Sequence, residues 1–338
     1  DINFDFQRSV GIIKCDKEKI IPDYLYHYLN LNLVKKRLID SANVSIQKCI
    51  YISDLEELII DYHKDIQYQT KVANFLNLLD EKRNLNSKIN FKIENIIKKL
   101  YNYWFVQFDF PNENNLPYKK NGGKLLWNKT FNREIPYNWE VGTLKDVLNK
   151  IECGNRPKGR VRDNIEGIPS VGAENIIGIG KYNFEQEKFI PKEYFDKMKL
   201  GKVKKKDVLV YKDGLGVGKI SMFQDNFPYE KCAINSHVFI LRSNNKISQN
   251  YLYFWLDQKF IKDLIIRLGL TSSQPGINQE DINEIPILVP NSNLVKKFDE
   301  LIESKINILF LNAKKNKFLS NFKNEILPMI LSGQITLN

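Results

Sequence analysis

The chain has 338 residues, room for two or three domains with sizeable cores. Its 43% hydrophobic and 12% aromatic content excludes a disordered chain, and no apolar run is long enough to span a membrane or forms a signal peptide, so a cytoplasmic protein is expected. The formal net charge of +11 leaves two readings open, an anionic partner such as nucleic acid or a merely lysine-rich composition.

In chain order, residues 22–40 read as a helix, with Pro22 near its start and Lys35, Lys36 and Arg37 toward its end. Residues 45–60 read as short extended pieces around a turn. From 66 to 105 there is neither Pro nor Gly. Val72, Phe75, Leu79, Ile89, Ile93, Ile96 and Leu100 recur there at the three-four spacing of a coiled-coil seam, interrupted by Lys82 and Asn86. Such a helix, about 60 Å long, exceeds the interior of an ordinary domain. Residues 107–138, rich in Pro, Asn and Gly, read as an ordered linker that keeps Trp104, Trp127 and Trp139 covered. Residues 139–290 read as a β-rich domain, with strands at 168–171, 208–212, 219–223 and 237–242 and a helix at 249–268. A second long helix, 294–327, carries Val295, Phe298, Ile302, Leu309, Leu319 and Phe322, is interrupted by Lys305 and Asn312, and is ended by Pro328. The economical arrangement pairs the two long helices antiparallel, with polar seam residues fixing their register; the alternative packs each on its own domain.

The chain also repeats itself. Tyr24-Leu25-Tyr26-His27-Tyr28-Leu29 returns 227 residues later as Tyr251-Leu252-Tyr253-Phe254-Trp255-Leu256, and Lys35, Ser45, Gln47 and Asp54 match Lys262, Ser272, Gln274 and Asp281. A period this long is a module used twice, the tail of a globular domain followed by a long helix, rather than a solenoid. The first copy lacks a counterpart of residues 139–227, which reads as an N-terminally truncated first domain.

Four motifs carry candidate chemistry. Arg156-Pro157-Lys158-Gly159-Arg160-Val161-Arg162 is a cationic loop whose arginines suit phosphates or guanine edges, unless it is only a solvated loop. The run from Lys197 to Lys206, including Lys204 and Lys205, is either a phosphate-binding or a solvated face. Asp213-Gly214-Leu215-Gly216-Val217-Gly218-Lys219 fails the phosphate-loop pattern at Asp213 and Ile220, and reads as a tight turn flanked by Lys212 and Lys219. Thr271-Ser272-Ser273-Gln274 offers Gln for adenine and Ser or Thr for phosphate or base, or else caps a helix. These leave Arg156, Lys158, Arg160, Arg162, Lys204, Lys205, Lys212, Lys219, Thr271, Ser272 and Gln274 as the DNA-contact candidates.

No nucleotide-cofactor fingerprint and no nucleophile–base spacing is present. Cys15, Cys49, Cys153 and Cys232 stand singly, and His27, His63 and His237 lack metal-ligand spacing, so neither metal nor cofactor is expected. His27, whose repeat mate is Phe254, reads as a packing residue.

Three segments, 101–111 (Tyr-Asn-Tyr-Trp-Phe-Val-Gln-Phe-Asp-Phe-Pro), Gly122-Gly123-Lys124 and Ile135-Pro136-Tyr137-Asn138-Trp139, together with Ile168-Pro169-Ser170-Val171, Lys206-Asp207-Val208-Leu209-Val210, Asp213-Gly214, 277–290 and Ile326-Leu327-Pro328, resemble the specificity subunit of type I restriction-modification systems over nearly the whole chain. The resemblance implies an α+β fold: β-rich target-recognition domains with one or two helices, joined by two long antiparallel coiled-coil spacer helices. It divides the chain into a first-domain remnant (1–61), a first spacer helix (62–107), a linker (108–138), a complete recognition domain (139–291) and a second spacer helix with tail (292–338). It implies sequence-specific recognition of a bipartite site on double-stranded DNA without catalysis, in complex with adenine methyltransferase subunits and ATP-dependent restriction subunits, with self-association through the spacer helices as a further option. Two other readings stand beside it: a protein-interaction scaffold of the same complex that does not read DNA, and a metal-dependent nuclease with an acidic site.

Overall fold

In the computed structural model of the chain, the described residues are 7, 9–41, 49–155, 167–224, 226–270 and 275–336. They fall into two units, residues 1–88 with 315–338 and residues 89–314. The elements run α1 (Pro22–Leu29), α2 (Asn32–Ser41), α3 (Ile52–Glu56), α4 (Ile66–Tyr101), β1 (Leu125–Asn128), β2 (Arg133–Pro136), β3 (Glu140–Thr143), α5 (Leu144–Val147), β4 (Leu148–Cys153), β5 (Ile168–Val171), β6 (Phe189–Ile190), α6 (Lys192–Lys197), β7 (Val208–Tyr211), β8 (Ile220–Met222), β9 (Ala233–Ile234), β10 (Val238–Ser243), α7 (Gln249–Leu256), α8 (Lys259–Gly269), α9 (Gln279–Asn283), β11 (Pro286–Val289) and α10 (Ser292–Leu331).

The first unit is helical among its described residues. Tyr24, Val72, Ala73, Leu76, Leu327 and Ile330 form its buried apolar core. Gln69, fully buried, accepts from the Ile21 N–H (2.9 Å) and donates to the Lys19 and His63 carbonyls (2.8 and 2.7 Å), satisfying backbone groups that would otherwise be orphaned. In this unit α4 and α10 run antiparallel: Asp80 meets Lys323 at 2.5 Å, and Asn86 donates to Asn316 at 2.9 Å. The helix expected over 22–40 breaks after Leu29 at the C-cap Asn30, whose side-chain amide adds to its own backbone N–H on the Tyr26 carbonyl (2.8 and 3.2 Å). The extended pieces expected over 45–60 are corrected by α3, whose first turn is held by Asp54 accepting from the Tyr51 N–H (2.7 Å); residues 45–48 lie outside the described ones. His27 is buried and bonded to Asn77 (2.9 Å), and burial lowers its pKa, as suits a packing residue.

The second unit is built on a four-stranded antiparallel sheet in the order β4-β10-β7-β8. Helix α7 covers it with Tyr251, Leu252, Tyr253, Phe254, Trp255 and Leu256, all buried. Of its three polar tips two are spent on β11, Tyr251 Oη donating to the Leu288 carbonyl (2.8 Å) and Trp255 Nε1 to that of Pro286 (3.1 Å), while Tyr253 Oη accepts from the Ile179 N–H (3.0 Å). The repeat mates differ in one respect: Tyr253 is 1% exposed, whereas Tyr26 in α1 is 57% exposed. Strand β11 pairs with β3, and a smaller sheet runs β6-β5-β9 with β5 and β9 parallel. The helix expected over 249–268 is two, because Gln258 is extended and restarts the chain as α8.

Helix α4 enters the domain through a locked joint. After Tyr101 one π-helical turn, Asn102–Val106, carries Trp104 and Phe105 inward, and Phe108 takes a positive φ of 64°. Phe105 packs edge-on to Tyr251 (5.0 Å) and Phe298 (5.1 Å), and Phe108 edge-on to Trp139 (5.2 Å). In this unit too α4 and α10 are antiparallel, with Asn90 donating to the Leu309 carbonyl (2.8 Å) and accepting from Asn312 (3.0 Å).

The expected seam is corrected in its second half. Ile89 and Ile96 are 36% and 52% exposed, while Asn86, Glu94, Ile97 and Tyr101 are buried. Two successive four-residue steps, Asn86 to Asn90 to Glu94, displace the inward row by one position, about 100°, from the heptad row. Lys82 is exposed and lies off the seam altogether. Pro328 does not end α10; it lies within the last turn, where its fixed φ fits the helix and only one backbone bond is forgone. The 107–138 linker contains a hairpin, β1–β2, and Trp127 on it is 63% exposed, so the expected cover holds for Trp104 and Trp139 only.

Candidate nucleic-acid interface

Strand pairing decides which candidate residues share a surface. Cys153 at the end of β4 faces Phe239 at the start of β10, Val238 faces Tyr211 at the end of β7, and Val210 faces Ile220 at the start of β8. One end of the sheet therefore collects the exit of β4 toward Asn155, the entry to β10 through Asn235, Ser236 and His237, and the β7–β8 turn 212–219. The turn is tied to the chain after α8: the Gly214 N–H donates to the Pro275 carbonyl (2.8 Å), and the Ile277 N–H to that of Lys212 (2.9 Å). His237 Nδ1 and Asp213 Oδ2 lie 2.5 Å apart, joining the β10 entry to the same turn.

Lys212 and Lys219 thus stand at this end, as expected of residues flanking a tight turn. Lys219 is exposed; Lys212 is half-buried, its ammonium 5.2 Å from the Phe239 ring centre and 4.0 Å from Asp213. Arg156, Lys158, Arg160, Arg162, Thr271, Ser272 and Gln274 lie outside the described residues. Their described neighbours, Asn155 before the arginine motif and Pro275 after Gln274, border the β7–β8 turn and the β10 entry.

Lys204 and Lys205 are exposed but stand before β7, at the opposite end of a strand about 13 Å long. Lys206, the last of that run, turns inward and pairs with Glu303 of α10 at 2.7 Å. The lysine run is therefore not one surface, because the chain from 201 to 207 crosses from one end of the sheet to the other.

What fixes that crossing is a buried ionic group that sequence patterning did not single out. On one face of the sheet Arg242 stands opposite Lys150 and diagonal to Glu152, and Asp207 directly precedes β7. The Arg242 guanidinium donates to Asp207 through Nε and Nη2 (2.7 and 2.6 Å), to Glu152 (2.6 Å) and to the Lys202 carbonyl (3.1 Å). Glu152 also accepts from the Gly201 N–H at 2.8 Å. Burial holds the Asp207 carboxyl above the ordinary carboxylate range despite Arg242. Burial pushes Glu152 the same way, but the Gly201 N–H and Arg242 outweigh it and the net shift is downward. The only sequence signal was one cation, Arg242, ending an otherwise apolar strand.

A second ionic group joins α4 to this domain. Lys98 bridges Glu94 and Asp257 at 2.9 Å each, and Lys181 pairs with Glu94 at 2.7 Å. Neither group resembles a reaction centre, since every carboxylate in them is answered by a cation. Among the described residues no cluster of His, Cys, Asp and Glu is arranged to hold a metal ion, and no helix is long and apolar enough to cross a membrane.

Comparison with known proteins agrees with this architecture. Residues 136–325 match the family of the type I restriction modification DNA specificity domain. The specificity subunit of the type I restriction enzyme MjaIX of Methanocaldococcus jannaschii is 24% identical over 321 residues, covering 94% of this chain and 70% of that protein. That of HindI from Haemophilus influenzae is 20% identical over 400 residues, covering 98% and 82%. The crystal structure of a type I restriction-modification S subunit from M. genitalium superposes with a TM-score of 0.55 at 19% identity, over 94% of this chain and 74% of that one, a likeness of fold. The chain belongs to the type I restriction-modification DNA specificity family.

Proposed function

We propose that residues 139–291 form a recognition domain that reads one half of a bipartite site on double-stranded DNA with the sheet end carrying the β7–β8 turn. The supporting observation is that motifs far apart in the sequence share one sheet end: the borders of the arginine motif and of the Thr271–Gln274 motif lie at the same end as Lys212 and Lys219. Lysines contribute phosphate contacts, and the arginines and Gln274 contribute base contacts. Lys204 and Lys205 stay in the proposal only as peripheral phosphate contacts. Residues 62–107 and 292–338 act as the spacer, and residues 1–61 as part of a second recognition module. The chain itself catalyses nothing; adenine methyltransferase subunits, and for cleavage ATP-dependent restriction subunits, assemble on it.

The test is adenine methylation mapped genome-wide in a methylation-free host that expresses this chain with its methyltransferase subunit. A reproducible split motif is expected. Co-purifying, soluble proteins that leave no methylated motif would refute the reading role and leave a scaffold. On purified duplex, affinity falls steeply with salt, by a slope of about −0.9 per phosphate contacted.

A further inference from the structure

The β7–β8 turn presents one side chain in a way its fold does not need. Leu215, at the tip, is 108% exposed, as open as a side chain in an extended reference peptide. Other exposed aliphatic residues are covered to some degree, and single apolar residues on a surface are ordinary. This one differs because the backbone beneath it is fixed. Lys219 N–H donates to the Gly216 carbonyl (3.0 Å), Gly218 N–H to that of Tyr211 (3.0 Å), and Gly214 N–H to that of Pro275 (2.8 Å). Gly214 takes a φ of 64°, and a Cβ on Gly216 would lie 2.8 Å from the Tyr211 ring. Val217, two residues on, points inward and is buried.

The turn therefore holds its tip outward, with the exposed Lys219 at its β8 end, while Lys212 at its β7 end is half-buried over the Phe239 ring and beside Asp213. A polar residue at 215 would serve the fold equally well, so the leucine gains only when something covers it. A ligand that offers apolar surface beside negative charge fits this arrangement. In duplex DNA the major-groove edge of thymine offers that surface, a methyl group lying between two phosphate backbones. We infer that Leu215 is a specificity-determining residue that packs on a thymine methyl group while Lys219 engages a flanking phosphate. The inference rests on the DNA-reading role proposed above.

The experiment measures binding of the full-length chain and of Leu215→Ala to duplexes carrying the methylated motif, each thymine replaced in turn by deoxyuridine, which lacks only the methyl group. The wild-type chain loses about fourfold at one thymine, the worth of one buried methyl, and nothing at the others. Leu215→Ala binds the unmodified duplex about tenfold more weakly, keeps the wild-type salt slope, and shows no deoxyuridine penalty at that thymine. An unchanged urea midpoint shows that the variant folds. Wild-type affinity in Leu215→Ala, or a deoxyuridine penalty that persists in it, overturns the inference. A wild-type chain that binds motif and scrambled duplex equally overturns the DNA-reading role itself, and this inference with it.

Discussion

Replacing Arg242 by Met keeps most of the apolar stem and removes the cation that faces Glu152 and Asp207, whose side chains are only 8% and 3% exposed. Three charge-assisted hydrogen bonds to carboxylates and one to a carbonyl are lost together. Removing one member of a buried ionic group costs about 3–5 kcal/mol, chiefly because the remaining charges stay buried and unpaired. Lys150 remains 3.5 Å from Glu152, and Arg242 is itself 19% exposed, so the lower figure, about 3 kcal/mol, applies. All four tryptophans, Trp104, Trp127, Trp139 and Trp255, lie in the unit 89–314, so tryptophan fluorescence during urea unfolding follows that unit. With a slope of about 2–3 kcal/mol per molar urea, the midpoint drops by about 1–1.5 M. The sign of the pH dependence follows from the carboxyls. In the wild type the depressed Glu152 adds stability above its unfolded pKa that is lost as pH falls, whereas the raised Asp207 adds stability at low pH that is lost as pH rises. Without Arg242 both groups bind protons more readily when folded. The deficit is then largest near about pH 7.5 and narrows toward about pH 5. A midpoint change under about 0.3 M, or a deficit independent of pH, would show that solvent already screens the group and refute the reasoning.

Lys219→Ala lowers the magnitude of the salt slope of DNA binding by about 0.9, whereas Lys206→Ala, whose ammonium faces Glu303, lowers the urea midpoint and leaves the slope alone; equal slopes for both variants would contradict the assignment of faces. Asn316→Ala leaves the buried Asn86 amide without its acceptor and costs the unit 1–88 with 315–338 about 1–3 kcal/mol, visible in helical circular dichroism and silent in tryptophan fluorescence. The Cys232 thiol, buried and pushed up to about 12, stays unreactive toward a disulfide reagent until the chain unfolds, while the exposed Cys49 reacts in the native protein; simultaneous labelling would contradict that burial.

The sequence was most legible where one physical rule acted alone. Two long helices followed from residues 66–105 and 294–327 being free of Gly and Pro, and the strand at Ile168–Val171 followed from a short β-branched segment with turn residues beyond it. Legibility fell where local and tertiary effects competed. One expected helix is split at Asn30, where the side-chain amide and the backbone N–H both donate to the Tyr26 carbonyl, a local cap that apolar spacing does not show. The seam drifted because Asn86, Asn90 and Glu94 found polar partners, which heptad counting scores as defects. At the interface, the glycine-rich turn and its flanking lysines were readable, but the separation of Lys204 and Lys205 from Lys212 and Lys219 depends on which end of a strand each occupies. The partners of Arg242 were unreadable for the same reason: Glu152 and Asp207 lie 90 and 35 residues away.

The joint below Tyr101 has a mechanical consequence. A flexible hinge at the root of a long helix would let the domain swivel without disturbing the shaft. Here the π turn, the reversed backbone at Phe108 and the rings of Phe105, Tyr251, Phe298 and Trp139 leave no free pivot. Any bend at Tyr101 would therefore have to break several ring contacts at once within the unit 89–314.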